Sequence, residues 1–197
     1  MGRRAALWLD LAVKAALVGL LLFAVARPDL PQFHGKAMAA RALLYPLSAV
    51  IVPVVWWLRG RRDPYPYAVD ILLVLPFLID VAGNAANLYD TIDWWDDLNH
   101  FVNWAILVAA FGQLLVRLPV GRREAFGLAV GFGCVTAVLW EFAEYFAFIR
   151  NSPELRTAYT DTLGDLALGL AGSTLAAALT VTVLWPARRR HTSGTPT

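Results

Sequence analysis

Six apolar stretches, each long enough or nearly so to cross a hydrocarbon core of ~30 Å, dominate this sequence. They fall at about 6–26, 42–58, 68–89, 98–118, 126–149 and 162–185. Hydrocarbon offers no water to satisfy a backbone N–H or C=O, so stretches of this kind are confined to helices. The expected fold is all-α, a polytopic membrane bundle of about six transmembrane helices. Composition agrees. Hydrophobic residues are 58% of the chain and charged ones 16%, against roughly 25% charged in a soluble domain. Eight tryptophans and six tyrosines suit a protein with two membrane–water interfaces. The second stretch is short and contains Pro46 and Pro53, which neighbouring helices can accommodate. Connectors are short and no internal repeat is evident. Residues 1–186 therefore read as one transmembrane domain, and 187–197 as a basic, disordered cytoplasmic tail.

Orientation follows from the bases, because Lys and Arg are retained on the cytoplasmic side. Arg3 and Arg4 precede the first span, and Arg59, Arg61 and Arg62 follow the second. Arg117, Arg122 and Arg123 follow the fourth, and Arg188, Arg189 and Arg190 follow the sixth. These are alternate connections, so all lie on one side and both termini face the cytoplasm. The first span, with Arg3-Arg4 before it and Ala24-Val25-Ala26 at its end, has the outline of a signal peptide. Asp10 and Lys14 interrupt it, and it is expected to be retained. Cys134 is the single cysteine, which rules out an intramolecular disulfide. The topology has a direct test. A reporter fused after Arg190 should be active only in the cytoplasm, and periplasmic activity would overturn it.

With orientation set, the polar residues inside the spans can be placed by depth. Asp80, Asn84, Asn87 and Asp90 are spaced by four, three and three on span three, one stripe climbing to the outer surface. Asp96, His100 and Asn103 repeat the pattern at the start of span four. Glu141 and Glu144 share a face near the outer end of span five, and Asp161 and Asp165 open span six. A charged acid at a helix centre costs roughly 2.5–3.5 kcal/mol on insertion scales, so the stripes should converge on the bundle interior. Any one of these groups could simply hydrogen-bond a neighbouring helix. Together they outnumber the nearby bases, which are Arg150 and Arg156 in the last outer connector and His34, Lys36 and Arg41 in the first. Either several acids are protonated or a cation sits among them.

The donor set makes a divalent metal ion the sharper expectation. One histidine among carboxylates suits Zn²⁺, Mn²⁺ or Fe²⁺, whereas carboxylates with amides suit Mg²⁺ or Ca²⁺. Asp96, His100, Glu141, Asp161 and Asp165 are the candidate ligands and Glu144 the candidate general base. Asp80, Asn84, Asn87 and Asn103 form a supporting polar stripe. Asp10 and Lys14, at i, i+4 on span one, read as an ion pair with Asp70 as a further partner. Trp56-Trp57, Trp94-Trp95 and Trp185 read as interfacial belt residues. Gly127, Gly131, Gly133, Gly164, Gly169 and Gly172 are expected to permit close helix packing. His191 lies in the basic tail and should be solvated. There is no phosphate-cradling loop, Cys pair, nucleophilic Ser elbow or nucleic-acid motif.

The segment at 89–177 resembles the YjdF-like family of bacterial inner-membrane proteins. The matching elements are Asp96-x3-His100-Phe101, Trp140-Glu141-x2-Glu144, and Asp161-Thr162-x2-Asp165 followed by Gly169 and Gly172. A looser resemblance extends to VanZ-like membrane proteins, associated with glycopeptide resistance at the cell envelope. The first likeness implies the site residues and a bacterial cytoplasmic membrane, without a reaction. Residues 1–88 show only general hydrophobic similarity. Three functions are compatible with these features. One is metal-dependent hydrolysis or transfer on a membrane lipid or envelope precursor. Another is ion- or proton-coupled transport, and the third a non-catalytic accessory role. Nucleic acid is not an expected partner, and no feature fixes an oligomeric state.

Overall fold

The computed structural model describes residues 2–61 and 63–185, and among these it contains helices and turns but no strand. Arg62, the Arg188–Arg190 cluster, His191 and the tail at 187–197 lie outside the described residues. Eight α-helices follow in order: α1 (Arg3–Ala26), α2 (Met38–Leu44), α3 (Pro46–Leu58), α4 (Tyr67–Ala85), α5 (Leu88–Thr91), α6 (Trp95–Leu115), α7 (Arg122–Ala147) and α8 (Ala158–Leu179). Six stretches are long and apolar enough to cross a membrane, with α2 and α3 together forming one of them. The chain is a multi-pass membrane protein.

Most span boundaries differ from the sequence reading by a few residues, and three of the differences have a local reason. The second span begins earlier, at Met38, and Pro46 sits in the first turn of α3, where a missing N–H costs little. The third span was expected to run to residue 89 but ends at Ala85. Asn87 there adopts φ 58, a left-handed conformation that asparagine tolerates better than most residues, and it turns the chain into α5. The sixth span finishes as a π-helical turn at Thr180–Leu184. The Thr180 hydroxyl donates back to the Ala176 carbonyl over 2.9 Å, a bond that competes with the regular ladder.

Helix α6 is the centre of the bundle, packed against α8, α4 and α7, while α1 packs on α4 from the far side. The α6–α8 seam depends on small residues. A side chain at Gly172 would strike the Phe101 carbonyl, and one at Gly112 would strike Thr180. Gly133 of α7 is closed in the same way by Ser173 of α8, and Gly169 lies against Ala137 and Trp104. Gly127, Gly131 and Gly164 face open space instead, so the packing expectation holds for only half of that set. Two larger apolar cores result, beside a small cluster of Ala24, Phe33 and Met38. One joins α6, α7 and α8 around Val108, Ala129 and Ala177; the other joins α1 to α4 around Leu17, Tyr45 and Val74. Trp185 is buried in the first core, and Trp95 packs on Gly83 and Tyr89. Both pack against the bundle, whereas Trp57 and Trp94 are exposed.

Candidate metal centre

The polar stripes do converge, but they resolve into separate groups with different charge balance. Asp80 of α4 is fully compensated. Arg41 enters from α2, is itself buried, and makes an ion pair with Asp80. The Tyr45 hydroxyl donates to the same carboxylate over 2.5 Å, the Tyr89 hydroxyl over 2.9 Å and Asn84 Nδ2 over 3.3 Å. Burial, then the neighbouring Asp80 carboxylate, pushes the Tyr89 phenol above its usual range, which keeps it a donor. Arg41 also donates to the Lys36 carbonyl over 2.9 Å and to the Tyr45 hydroxyl over 3.1 Å. Lys36 in turn pairs with Asp90 at 2.9 Å. This group is a closed network and needs no further cation.

At the opposite end of the bundle, Lys14 of α1 reaches Asp10 at 3.2 Å and Asp70 of α4 at 2.5 Å. The Tyr65 hydroxyl also donates to Asp70. The expected ion pair is present, with Asp70 as its third member. One Oδ1 each of Asp10 and Asp70 is buried without a hydrogen-bond partner.

His100 is different. Helix α6 begins at Trp95, so Asp96, Asn99, His100 and Asn103 follow at i, i+3, i+4 and i+7 on its inner face. The imidazole is only 4% exposed and stacks on Trp104, with centroids 5.6 Å apart and planes at 2°. Trp104 is held by its own Nε1, which donates to the Gly133 carbonyl over 3.0 Å. The His100 ring is therefore fixed, and three carboxylates face its two nitrogens. Nε2 lies 3.8 Å from Asp96 and 3.7 Å from Asp165; Nδ1 lies 3.7 Å from Glu141. Glu144 completes a second triad with His100 and Glu141, and Glu141 accepts a hydrogen bond of 3.0 Å from Thr162.

These separations discriminate between two kinds of contact. A direct N–H···O bond spans about 2.7–3.2 Å. Two ligand atoms on one ion, with bonds of about 2.1 Å at a tetrahedral angle, stand about 3.4 Å apart. The Nε2 distances of 3.8 Å to Asp96 and 3.7 Å to Asp165 are nearer the second value and outside the first. Charge points the same way. Four carboxylates surround one imidazole, and among the described residues none of the four has Lys or Arg within ion-pair distance. Asn103 adds an Oδ1 that is buried and without a partner.

The cluster stands at the polar end of a cavity of about 340 Å³. Asp96, His100, Asn103 and Glu144 line that end, while Leu73, Phe77, Leu107, Phe132 and Leu139 line the remainder. The arrangement suits an amphipathic molecule with its head at His100 and its chain among the apolar side chains.

Of the residues singled out in sequence, Asp96, His100, Glu141, Glu144 and Asp165 are brought together. Asp161 is not. It lies one turn earlier on α8, is exposed and belongs to neither triad. Asn87 leaves the stripe because α4 has already ended; its Oδ1 is buried without a partner. Sequence reasoning missed Tyr45, Tyr89 and Trp104, and gave Thr162 a place in a motif but no partner. Arg41 carried a usable signal, as a base at the entrance to an apolar span facing an acid-bearing helix.

A family model described as a predicted membrane protein (DUF2238) matches residues 9–185. The chain belongs to the DUF2238 family. The match extends well before the 89–177 segment and includes the helix that carries Asp10 and Lys14. An uncharacterized protein of Thermotoga maritima is similar, 33% identical over 134 residues, 60% of this chain and 69% of its own. No solved structure matches.

The Asp80 network generates a stability prediction. Arg41→Met strands a buried carboxylate and should cost about 3–5 kcal/mol. Arg41→Met with Asp80→Leu should recover much of the loss, measured by unfolding in detergent micelles. Equal stability of wild type and Arg41→Met would contradict the network.

Proposed function

We propose that this DUF2238 protein is a metal-dependent hydrolase or transferase acting on a lipid or lipid-linked envelope precursor. The observation that carries the reading is His100, held rigidly between carboxylates at 3.7–3.8 Å at the head of an otherwise apolar cavity. Asp96 and Asp165 share the Nε2 side of the ring and are the natural ligands with it. Glu141 faces Nδ1 at 3.7 Å, beyond direct hydrogen-bond range; it would set the tautomer of the ring only by closing that gap when an ion binds. A bound divalent ion supplies a Lewis acid for a phosphoryl or carbonyl oxygen of the substrate. Glu144 lines the cavity and would take a proton from the attacking nucleophile. Apolar walls would exclude bulk water and orient the chain of the substrate. The ordered motifs around Asp96, Glu141 and Asp165 favour kinship with YjdF-like proteins within the family, and a more distant one with VanZ-like proteins.

A second reading, ion- or proton-coupled transport, is favoured by the Asp10–Lys14–Asp70 group at the other end. Leu73, Leu107 and Phe132 belong to the apolar end of the His100 cavity, and among the described residues no ion pair or side-chain hydrogen bond links the two polar groups. That separation favours the enzyme.

Metal analysis of detergent-purified protein tests the proposal. About one divalent ion per chain is expected, lost in His100→Ala and Asp165→Asn but retained in Glu144→Gln. Absence of metal from every preparation, with all variants as stable as wild type, would overturn it in favour of an accessory role. Uptake in liposomes driven by a proton gradient would instead support the carrier.

A further inference from the structure

A second cavity, of about 330 Å³, lies at the other end of the bundle between α3, α4 and α6. Its walls are apolar, from Val55 and Val69 to Phe111 and Leu114, and its mouth carries Arg59 and Arg117. Both arginines are exposed. Among the described residues, neither has a carboxylate within ion-pair distance. Arg61 adds a third guanidinium nearby, 5.6 Å from the centre of the Trp56 ring that lines the same mouth. Asp63 is the one acid lining the cavity, so positive charge prevails at the entrance.

Length narrows the occupant further. The cavity runs along α6 from Leu107 and reaches Arg117 in the turn just beyond its end, ten residues or about 15 Å at helical rise. That is half of a hydrocarbon core of ~30 Å, the depth of one leaflet. Basic mouths over apolar clefts between membrane helices suit anionic lipid headgroups. We infer that this cavity is a binding site for one anionic phospholipid of the adjoining leaflet, its phosphate held by Arg59 and Arg117 and one acyl chain buried down to Leu107. Leu73, Leu107 and Phe132 line this cavity and the His100 cavity alike. The end of the bound chain therefore packs beneath the floor of the metal centre and steadies it. The site does not require that a metal be bound above.

Native mass spectrometry of the full chain, released from micelles holding phosphatidylglycerol and phosphatidylcholine, reads this directly. Retention of one phosphatidylglycerol in preference to phosphatidylcholine is expected. Arg59→Gln with Arg117→Gln should reduce it at least about tenfold. Arg122→Gln with Arg123→Gln removes the same charge from the neighbouring segment, outside the cavity lining, and should leave retention unchanged. A photoreactive group at the acyl terminus should label Leu107 or Phe132. No preference for the anionic lipid, or equal loss in the two double variants, would overturn the site. So would a dimer that covers this face and excludes lipid. Metal content is read separately in the same samples, so failure here is distinguishable from failure of the metal centre.

Discussion

Uncompensated charge is hardly tolerated within hydrocarbon, and the arrangement of this bundle follows from how each buried carboxylate is neutralised. Asp80 is neutralised by Arg41, drawn in from the first connector, and by two tyrosine hydroxyls. Asp10 and Asp70 share Lys14, with Tyr65 as an additional donor. Those pairings tie α2 to α4 at one end and α1 to α4 at the other, so electrostatics and helix packing reinforce each other. The cluster of Asp96, Glu141, Glu144 and Asp165 has no such basic partner among the described residues. It has a single imidazole, clamped on Trp104.

The geometry of α6 explains why the unpaired cluster can exist. Gly172 allows α8 to approach the α6 backbone at Phe101, next to His100, and Gly133 allows α7 to close on Ser173. Three helices thus meet closely near the imidazole, bringing Asp165 and Glu141 to opposite edges of one ring. A looser seam would admit water and dissolve the constraint. Leu73, Leu107 and Phe132 then form the apolar end of the cavity that this cluster heads.

Much of this was legible from spacing alone. Hydropathy located six membrane helices, and i, i+3 or i+4 repeats placed Asp96 with His100, Glu141 with Glu144, and Asp165 behind Gly169 and Gly172. Spacing could not reveal where a helix stops. Asn87 looked like the next step of a stripe, yet it is the residue that ends α4 by entering the left-handed region. Nor could it separate depth from direction. Asp161 shares a face with Asp165 but stands one turn too far out to join the triads. Partners from distant segments were largely invisible as well, since Arg41 and Asp80 are 39 residues apart. Family membership over residues 9–185 extends the relationship to α1, where the sequence offered only generic hydrophobicity.

The account stands on an ion at His100, and X-ray absorption at the metal edge interrogates that atom most directly. Protein loaded with a stoichiometric divalent metal should show one imidazole and several oxygens at about 2.0–2.2 Å. The imidazole signature should disappear in His100→Ala and persist in Arg41→Met. A spectrum without imidazole, or one unchanged by loss of His100, would contradict the central claim.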